Sequence, residues 1–237
     1  MKDESYVIEP IAYIRSPFRE KFGIPRQSGL AESVEAKIVF IEPYGEPEAF
    51  RGIESYSHLW LIWKFTGAKS TSFSPTVRPP KLGGNKRMGV FASRSPYRPN
   101  SLGLSCVRLL RVERGEHGCV VLVVGGADLM DGTPIYDVKP YVPYADSKPQ
   151  AKGGFSLEGD KCRTEVVFPS QLLSCLPQEL RNGAVEALSQ DPRPGYQNEP
   201  GRVYYMLFSD YEIEFTADET VLTVHRVTEK TDRRTEE

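Results

Sequence analysis

The chain has 237 residues, with 30 Lys and Arg against 32 Asp and Glu, a formal net charge of −2. A hydrophobic content of 39% with 11% aromatic residues suffices for a folded core and excludes wholesale disorder. The acidic residues are unevenly distributed, because residues 55–112, the acid-free segment, contain ten Lys and Arg and no Asp or Glu. The remaining 20 basic and 32 acidic residues give the rest of the chain a net charge of −12. The sequence therefore predicts a basic face on an otherwise acidic protein.

Targeting and metal-binding signals are missing from the sequence. The first ten residues, MKDESYVIEP, have no basic region leading into an apolar one, so we expect no secretory signal. No apolar run approaches the roughly 20 residues of a membrane span. The cysteines form no CxxC pair and the histidines lie far apart, so we predict no metal site. We expect a cytoplasmic protein with reduced thiols and no membrane partner.

Short β-rich segments separated by Gly, Pro and polar stretches dominate the first 150 residues. The predicted strands are Val7–Ile14, Val34–Ile41, His58–Phe65, Met88–Ala92, Leu104–Val112 and Cys119–Val124. The last two flank Glu113–Gly118 and predict a hairpin. Within these 150 residues, helical periodicity is confined to Glu46–Arg51. A mainly β fold, a barrel or sandwich of six or more strands, is therefore favoured over a doubly wound sheet.

A polar stretch at residues 147–161 is typical of a linker, and a small α+β domain is predicted after it. The helical stretch is Pro169–Ser189, and Pro177 inside it predicts two helices or a kink at Leu176. The predicted strands of this domain are Arg163–Phe168, Val203–Phe208, Glu212–Phe215 and Val221–Val227.

The sequence contains no GxGxxG, P-loop, GxSxG or HExxH motif, so none of the common catalytic patterns locates a site. Three loops remain as candidates because of the polar side chains that they contain. The first loop is Gly23–Leu30, GIPRQSGL. Pro25 and Gly29 constrain its backbone. The polar side chains of Arg26 and Gln27 lie between them and are candidates for ligand contacts. An ordinary surface turn is the alternative.

The second loop, Arg78–Ser105, mixes Arg with Pro and Gly and places Tyr97 beside Arg98. Guanidinium groups bind phosphates, and an aromatic ring stacks on a base. Prolines stiffen the loop and lower the entropic cost of binding. We interpret it as a binding surface rather than as a merely solvated basic loop.

The third loop, Gly125–Asp146, is rich in charged and aromatic side chains. These are Asp128, Asp131, Asp137, Lys139 and Tyr141. Carboxylates in such a place can accept hydrogen bonds from ribose hydroxyls or an amino group, bind a metal, or act as a base. Its Asp-Gly-Thr-Pro string is also ordinary turn chemistry.

A loop of the second domain, DPRPGYQ, repeats these ingredients with Arg193 and Tyr196. Together the loops indicate a polyanionic partner, namely nucleic acid with exposed bases. They do not by themselves name a reaction.

Five strings carry a resemblance to a known family: IRSPFREKFGIPRQSGL, SHLWLIW, RPPKLGGNKRMGVFASRSPYRPNSLGLS, DLMDGTPIYDVKPYVPYAD and DPRPGYQ. In this order they resemble the TsaA-like (TrmO) family of S-adenosylmethionine-dependent tRNA methyltransferases. The resemblance implies a β-barrel cofactor domain at residues 1–150 and a small α+β domain at 160–230. It also implies a homodimeric enzyme that methylates N6 of N6-threonylcarbamoyladenosine, next to the anticodon of threonine tRNA.

The resemblance also implies site residues. The implied S-adenosylmethionine pocket consists of Pro25, Arg26, Gln27, Thr66, Gly67, Arg94, Leu104, Asp128, Leu129, Met130 and Asp131. The candidate catalytic residues are Asp137, Asp131 and Tyr141, and the candidate substrate and tRNA contacts are Arg87, Arg98, Asn100, Lys139, Arg193 and Tyr196. Where the family often has a histidine followed by a polar residue, this chain has Thr66 and Gly67. A contact there relies on the backbone or on the threonine hydroxyl.

Two other functions remain compatible with the residues. A metal-dependent RNA phosphodiesterase would bind Mg²⁺ through Asp128, Asp131 and Asp137. A non-catalytic RNA-binding barrel would bind tRNA but not S-adenosylmethionine.

Overall fold

The computed structural model describes residues 6–67, 72–79, 86–155, 163–193, 199, 201–218 and 220–230. Its strands are β1 (Ala12–Arg15), β2 (Glu35–Phe40), β3 (His58–Lys64), β4 (Thr76–Val77), β5 (Met88–Gly89), β6 (Leu102–Arg114), β7 (Val120–Gly125), β8 (Pro134–Pro140), β9 (Glu165–Val167), β10 (Val203–Phe208), β11 (Tyr211–Ala217) and β12 (Val221–Glu229). Its α-helices are α1 (Pro143–Asp146), α2 (Ser170–Leu173) and α3 (Gln178–Ser189). Short 3₁₀ turns cover Pro47–Phe50, Ile53–Ser55, Val90–Ala92 and Glu116–Gly118.

Six antiparallel strands form a closed barrel in the order β1-β2-β7-β6-β3-β8. Every second side chain of β2 and β3 is buried, so that Ile38, Leu59 and Leu61 point into the barrel core. The mainly β prediction with a barrel of six or more strands is confirmed. The predicted hairpin is confirmed as well, since β6 and β7 are antiparallel neighbours.

Two parts of the predicted strand pattern were wrong. Strand β8 lies inside Gly125–Asp146, which the sequence suggested was a loop, and it closes the barrel by pairing with β1 and β3. Its first and last residues, Pro134 and Pro140, resemble loop signals, although proline is tolerated at the first residue of a strand. The predicted strand Met88–Ala92 lies outside the barrel: its first two residues pair with β4, and a 3₁₀ turn follows.

The C-terminal domain is α+β, with a sheet in the order β10-β11-β12-β9 in which β9 is parallel to β12. Helices α2 and α3 are separated, and Pro177 is the N-cap of α3. This confirms the predicted break, because proline lacks the N–H that a helix interior needs. No helix in the described ranges has the length and apolar character needed to cross a membrane.

Residues 16–34, which we call the bridging segment, leave the barrel after β1 and pack against the C-terminal domain. Phe18, Ala31 and Val34 are buried in the same core cluster as Phe208 of β10. The ring centroids of Phe18 and Phe208 are 5.6 Å apart in an edge-to-face contact. The second core thus contains side chains that precede β2 in the sequence.

Hydrogen bonds also attach the bridging segment to the C-terminal domain. The backbone N–H and the hydroxyl of Ser33 donate to the Glu186 carboxylate of α3, at 2.8 and 2.7 Å. The backbone N–H of Ser209 donates to the Pro17 carbonyl at 2.6 Å. The bridging segment therefore connects the barrel to the C-terminal sheet and helices through buried side chains and hydrogen bonds. Residues 156–161 of the predicted linker lie outside the described residues.

We expect Phe18→Ala to lower the free energy of unfolding by about 3–5 kcal/mol, the cost of deleting a buried phenylalanine ring. Urea denaturation followed by circular dichroism measures the change. Phe91→Ala is the matched control, since that ring is 71% exposed and its loss should change stability by no more than about 0.5 kcal/mol. Equal effects of the two substitutions would contradict the shared core.

Candidate functional site

A cavity of about 770 Å³ lies beside the barrel, at the end of β3 and the start of β6. The bridging segment, the loop Ser93–Arg98 and the turn between β7 and β8 complete its wall. Small-molecule sites usually occupy about 300–1,000 Å³, so this cavity has the size of a cofactor site. All three loops selected from the sequence contribute to it.

Nine of the eleven residues predicted for the cofactor pocket line this cavity: Pro25, Arg26, Gln27, Thr66, Gly67, Arg94, Leu104, Asp128 and Met130. The other two point elsewhere. Leu129 is 1% exposed and belongs to the barrel core. Asp131 accepts a hydrogen bond from the backbone N–H of Ser16 at 3.0 Å, which fixes the start of the bridging segment.

A glycine sets the path of the bridging segment as it enters the cavity wall. Gly23 has a φ of +93°, and a Cβ added there would lie 2.6 Å from the side chain of Met206 in β10. Only glycine meets both requirements. The loop that follows is therefore positioned by direct contact with the C-terminal domain.

The polar side chains of this loop are held from two sides. The Arg94 guanidinium donates to the side-chain oxygen of Gln27. The Arg26 guanidinium donates to the backbone carbonyl of Arg193 in the C-terminal domain at 3.5 Å. The loop is thus tied both to the acid-free segment and to the C-terminal domain.

Asp128 is the only carboxylate among the described residues that line the cavity. Its Oδ1 accepts a hydrogen bond from the Ser105 hydroxyl at 2.5 Å, and Ser105 Oγ in turn lies 2.9 Å from Trp63 Nε1. Burial raises the pKa of Asp128 above its usual value. Hydrogen bonds from Ser105 and from the Ser28 backbone, together with the charge of Arg94, act in the opposite direction. A desolvated carboxylate here can accept hydrogen bonds from ligand hydroxyl or ammonium groups.

The indole of Trp63 forms the aromatic wall of the cavity and depends on a glycine in the neighbouring strand. Trp63 is paired with Gly103 of β6, and a Cβ at Gly103 would lie 2.3 Å from the indole Cε2. The Phe65 ring packs against the indole with a centroid distance of 4.2 Å. Any side chain at Gly103 must therefore displace the indole.

Cationic groups surround the cavity. Lys21, Arg26, Arg94 and Arg98 all line it, and the last two belong to the acid-free segment. Arg98 is oriented by donating to the Ser93 carbonyl at 3.3 Å. With one carboxylate among the described lining residues, the cavity is electropositive and favours a ligand with anionic groups.

The acid-free segment is not uniformly available to a partner. Arg111 lies 3.0 Å from the Glu35 carboxylate and 2.7 Å from that of Glu113, both of which come from outside the segment. Arg87 is exposed, and its described contact is with the neutral hydroxyl of Thr76 at 3.4 Å. Its charge therefore faces solvent, whereas the charge of Arg111 is balanced within the protein.

The predicted catalytic residues are dispersed: Asp131 lies in the turn before β8, Asp137 lies in β8 and Tyr141 directly follows it. Asp137 pairs with Lys139 Nζ at 2.9 Å and lies opposite Ile62, a lining residue of the cavity. The backbone N–H of Tyr141 donates to the carbonyl of His58, the first residue of β3, at 2.9 Å. The Tyr141 ring centroid is 5.8 Å from that of Trp60. It lies four residues along β3 from Ile62, about 13 Å. Asp137 is thus the strand neighbour of a lining residue, whereas Tyr141 lies farther from the cavity.

The three aspartates of the third loop do not converge. Asp128 faces the cavity, Asp131 bonds to the bridging segment, and Asp137 pairs with Lys139. The described ranges contain no group of three or more His, Cys, Asp or Glu side chains that could hold a metal ion.

The predicted contacts of the C-terminal loop have different surroundings. The Arg193 side chain is 6% exposed, and its guanidinium donates to both Asp191 carboxylate oxygens at 2.8 and 3.0 Å. It also donates to two backbone carbonyls at 2.9 and 2.7 Å. This burial argues against a tRNA contact by Arg193, whose side chain instead attaches Asp191 to the end of β11. Tyr196 lies outside the described residues, and Asn100 is exposed next to the cavity loop.

The sequence analysis missed Trp63 and Ser105. Both point inward from strands, where their pattern is that of ordinary core residues. The one available signal is a serine within the apolar start of β6, since a buried hydroxyl needs a partner. The partner itself, Asp128, is 23 residues away in sequence.

Family models match almost all of the chain. The tRNA-methyltransferase O N-terminal domain matches residues 13–147, and the TrmO C-terminal domain matches residues 163–230. A tRNA (adenine(37)-N6)-methyltransferase of Escherichia coli is 41% identical over 219 residues, which cover 89% of this chain and 93% of that protein. A Pseudomonas aeruginosa relative, described as a candidate S-adenosylmethionine-dependent methyltransferase, is 40% identical over 89% of this chain and 92% of its own length.

Solved structures agree with these similarities. A crystal structure of TrmO from P. aeruginosa superimposes with a TM-score of 0.77 at 34% identity, covering 95% of this chain and 98% of that one. The similarity thus extends over the barrel and the C-terminal domain together.

We expect Gly103→Ala to destabilise the protein by about 1–3 kcal/mol, because the added methyl group overpacks the site of the indole. Urea denaturation, with the tryptophan emission maximum as a second readout, measures this. Gly89→Ala serves as control, since nothing lies within 4 Å of the added Cβ. A Gly103→Ala protein as stable as the Gly89→Ala protein would contradict the contact.

Proposed function

The chain belongs to the tRNA-methyltransferase O family, and on that premise we propose that it transfers the methyl group of S-adenosylmethionine to N6 of adenosine 37 in tRNA. The name of the E. coli relative gives the methylated position, and that of the P. aeruginosa relative gives the methyl donor. More finely, we propose N6-threonylcarbamoyladenosine in threonine tRNA as the substrate. The observation that carries the proposal is the partly buried Asp128 carboxylate in an apolar and otherwise cationic cavity of about 770 Å³.

The residues of the cavity fit S-adenosylmethionine by the chemistry of their side chains. Trp63, Leu104 and Met130 offer apolar surface to an adenine ring. The Asp128 carboxylate can accept from ribose hydroxyls or an ammonium group. The Arg94 guanidinium can donate two parallel hydrogen bonds to a carboxylate group of the ligand. When bound, the cofactor supplies an electrophilic methyl group on a sulfonium.

Methyl transfer requires chiefly that the nucleophile and the methyl carbon be aligned. A bond forms between N6 and the methyl carbon, the carbon–sulfur bond breaks with its electrons left on sulfur, and the N6 proton is released. The ureido carbonyl on N6 withdraws electrons, which makes that N–H more acidic than in plain adenosine. Asp137, which is paired with the lining residue Ile62 in the barrel sheet, is the proposed proton acceptor. Asp131, which bonds to the bridging segment, and Tyr141 suit roles outside the reacting centre.

Arg98 is the proposed contact of the threonyl carboxylate, because it lines the cavity and a guanidinium pairs with a carboxylate through two parallel hydrogen bonds. Asn100 follows on the same exposed loop. Arg87 and Lys139 would contact the anticodon loop. We further propose that the enzyme works in the cytoplasm as a homodimer, as the family resemblance implies.

Two measurements separate this proposal from the alternatives. A non-catalytic RNA-binding barrel would bind tRNA and leave S-adenosylmethionine free. A metal-dependent phosphodiesterase would cleave RNA and lose its activity to a chelator, which methyl transfer should survive. The dispersal of Asp128, Asp131 and Asp137 favours methyl transfer over the phosphodiesterase.

Asp128→Asn should weaken S-adenosylmethionine binding about 10- to 100-fold, because hydrogen bonds to a charged group contribute about 1.5–3 kcal/mol. Isothermal titration calorimetry with the cofactor alone measures this. Glu48→Gln is the control, since that carboxylate lies on the surface in an exposed pair with Arg51, and it should bind as the unmodified protein does. Unchanged affinity in Asp128→Asn would remove Asp128 from the site.

Arg87→Ala should lower the salt dependence of tRNA binding by about 0.7 in the slope of log K against log salt, if Arg87 touches one phosphate of a single-stranded loop. Arg111→Ala removes a charge from the same acid-free segment, but one already paired with Glu35 and Glu113. Its slope should equal that of the unmodified protein. Equal slopes for both variants would show that Arg87 makes no phosphate contact.

A further inference from the structure

Trp63, Ser105 and Asp128 form a chain of hydrogen bonds that runs from the barrel interior to the cavity. Trp63 is 6% exposed and Ser105 is 1% exposed. The indole Nε1 lies 2.9 Å from Ser105 Oγ, and Ser105 Oγ lies 2.5 Å from Asp128 Oδ1. Two of the three groups are therefore shielded from solvent, and the third meets the ligand space.

The chemistry of the indole fixes the direction of this chain. An indole N–H can donate but cannot accept, so Ser105 Oγ must accept from Trp63. The hydroxyl hydrogen of Ser105 then needs an acceptor, and Asp128 Oδ1 is the one that the described structure provides. Protonating Asp128 and reversing this bond would leave the buried hydroxyl hydrogen unsatisfied, at a cost of about 1–3 kcal/mol.

The surroundings of Asp128 divide into groups that oppose its charge and groups that support it. Burial opposes the charge and raises the pKa of Asp128. The hydrogen bond from Ser105, those from the Asp128 and Ser28 backbone, and the charge of Arg94 support it. The other charged side chains that line the cavity are Lys21, Arg26 and Arg98.

We propose that Ser105, oriented by Trp63, is a positioning residue that holds Asp128 as an ionised hydrogen-bond acceptor toward the cofactor. This inference rests on the proposed function, since it assigns the cavity to S-adenosylmethionine. The remaining lone pairs of the carboxylate then receive the donor groups of the ligand. The indole has two roles: its ring forms the aromatic wall of the cavity, and its N–H fixes the direction of the hydrogen bond from Ser105 to Asp128.

The pH dependence of cofactor affinity tests the proposal. Affinity that needs ionised Asp128 is complete above its pKa and is lost as the pH falls through it. Ser105→Ala removes a hydrogen bond that lowers this pKa, so the loss should begin at a higher pH. We also expect affinity at neutral pH to fall about tenfold, the size of one charge-assisted hydrogen bond. Calorimetric titration with S-adenosylmethionine from about pH 5 to pH 8 measures both changes.

Three further variants complete the experiment. Ser105→Thr keeps the hydroxyl and should restore both the affinity and the acidic limb of the profile. Trp63→Phe removes the donor that orients Ser105 and should shift the limb in the same direction as Ser105→Ala. Ser189→Ala is the control, because it deletes a buried hydroxyl bonded to the Glu186 carbonyl in α3 and should leave the profile unchanged.

The outcomes distinguish the inference from the function on which it rests. Ser105→Ala affinity reduced by the same factor at every pH would indicate a merely structural role and overturn the positioning role. An unchanged profile would overturn it too. Failure of the unmodified protein and of Ser105→Thr to bind S-adenosylmethionine at any pH would instead contradict the proposed function.

Discussion

Residues 16–34 are held between the barrel and the C-terminal domain, and one wall of the cavity has its shape because of this. Phe18 and Val34 anchor the two ends of the bridging segment in the second core. Gly23 lets the chain pass over Met206 without a clash. The loop between the anchors faces the barrel's cavity while its position is set by the C-terminal domain. A displacement of that domain must therefore move the cavity wall.

The charge of the cavity follows from how the acid-free segment is distributed in space. Arg94 and Arg98 reach the cavity, whereas Arg111 is balanced by Glu35 and Glu113 on the barrel surface. The absence of acidic residues from this segment therefore affects the charge of the cavity most, because the described lining contains a single carboxylate. A single carboxylate among cationic side chains makes the cavity selective. A ligand must present anionic groups to the arginines and a hydrogen-bond donor to Asp128.

Local patterns predicted much of the fold, and contacts between distant segments account for what they did not predict. Strands β2 and β3 could be predicted because their β-branched and aromatic residues are a local feature of the sequence. Strand β8 was hidden by Pro134 and Pro140, since its strand character comes from closing the barrel between β1 and β3. The role of the bridging segment in the second core could not be predicted, because Phe18 and its partner Phe208 are 190 residues apart.

The candidate site shows the same division. The loop around Pro25, Arg26 and Gln27 was selected from composition and from the family resemblance, and the structure brings it to the cavity. Ser105 and Trp63 were missed, because the meaning of a buried serine depends on which groups its hydroxyl meets. Arg193 shows the reverse: an arginine whose loop composition is typical of RNA contacts is buried, and its side chain bonds to Asp191 and to the end of β11.

The bridging segment has one more consequence, which concerns solubility. The barrel is closed, whereas β10 is an edge of the second sheet. Phe18 makes a bridge to Phe208, and the Glu20 carboxylate accepts from the Leu207 N–H at 3.2 Å. The segment thereby covers part of an edge that would otherwise offer backbone groups to another chain. A substitution that detaches the bridging segment would expose the backbone N–H and C=O groups of the β10 edge. Such variants should self-associate as well as lose stability.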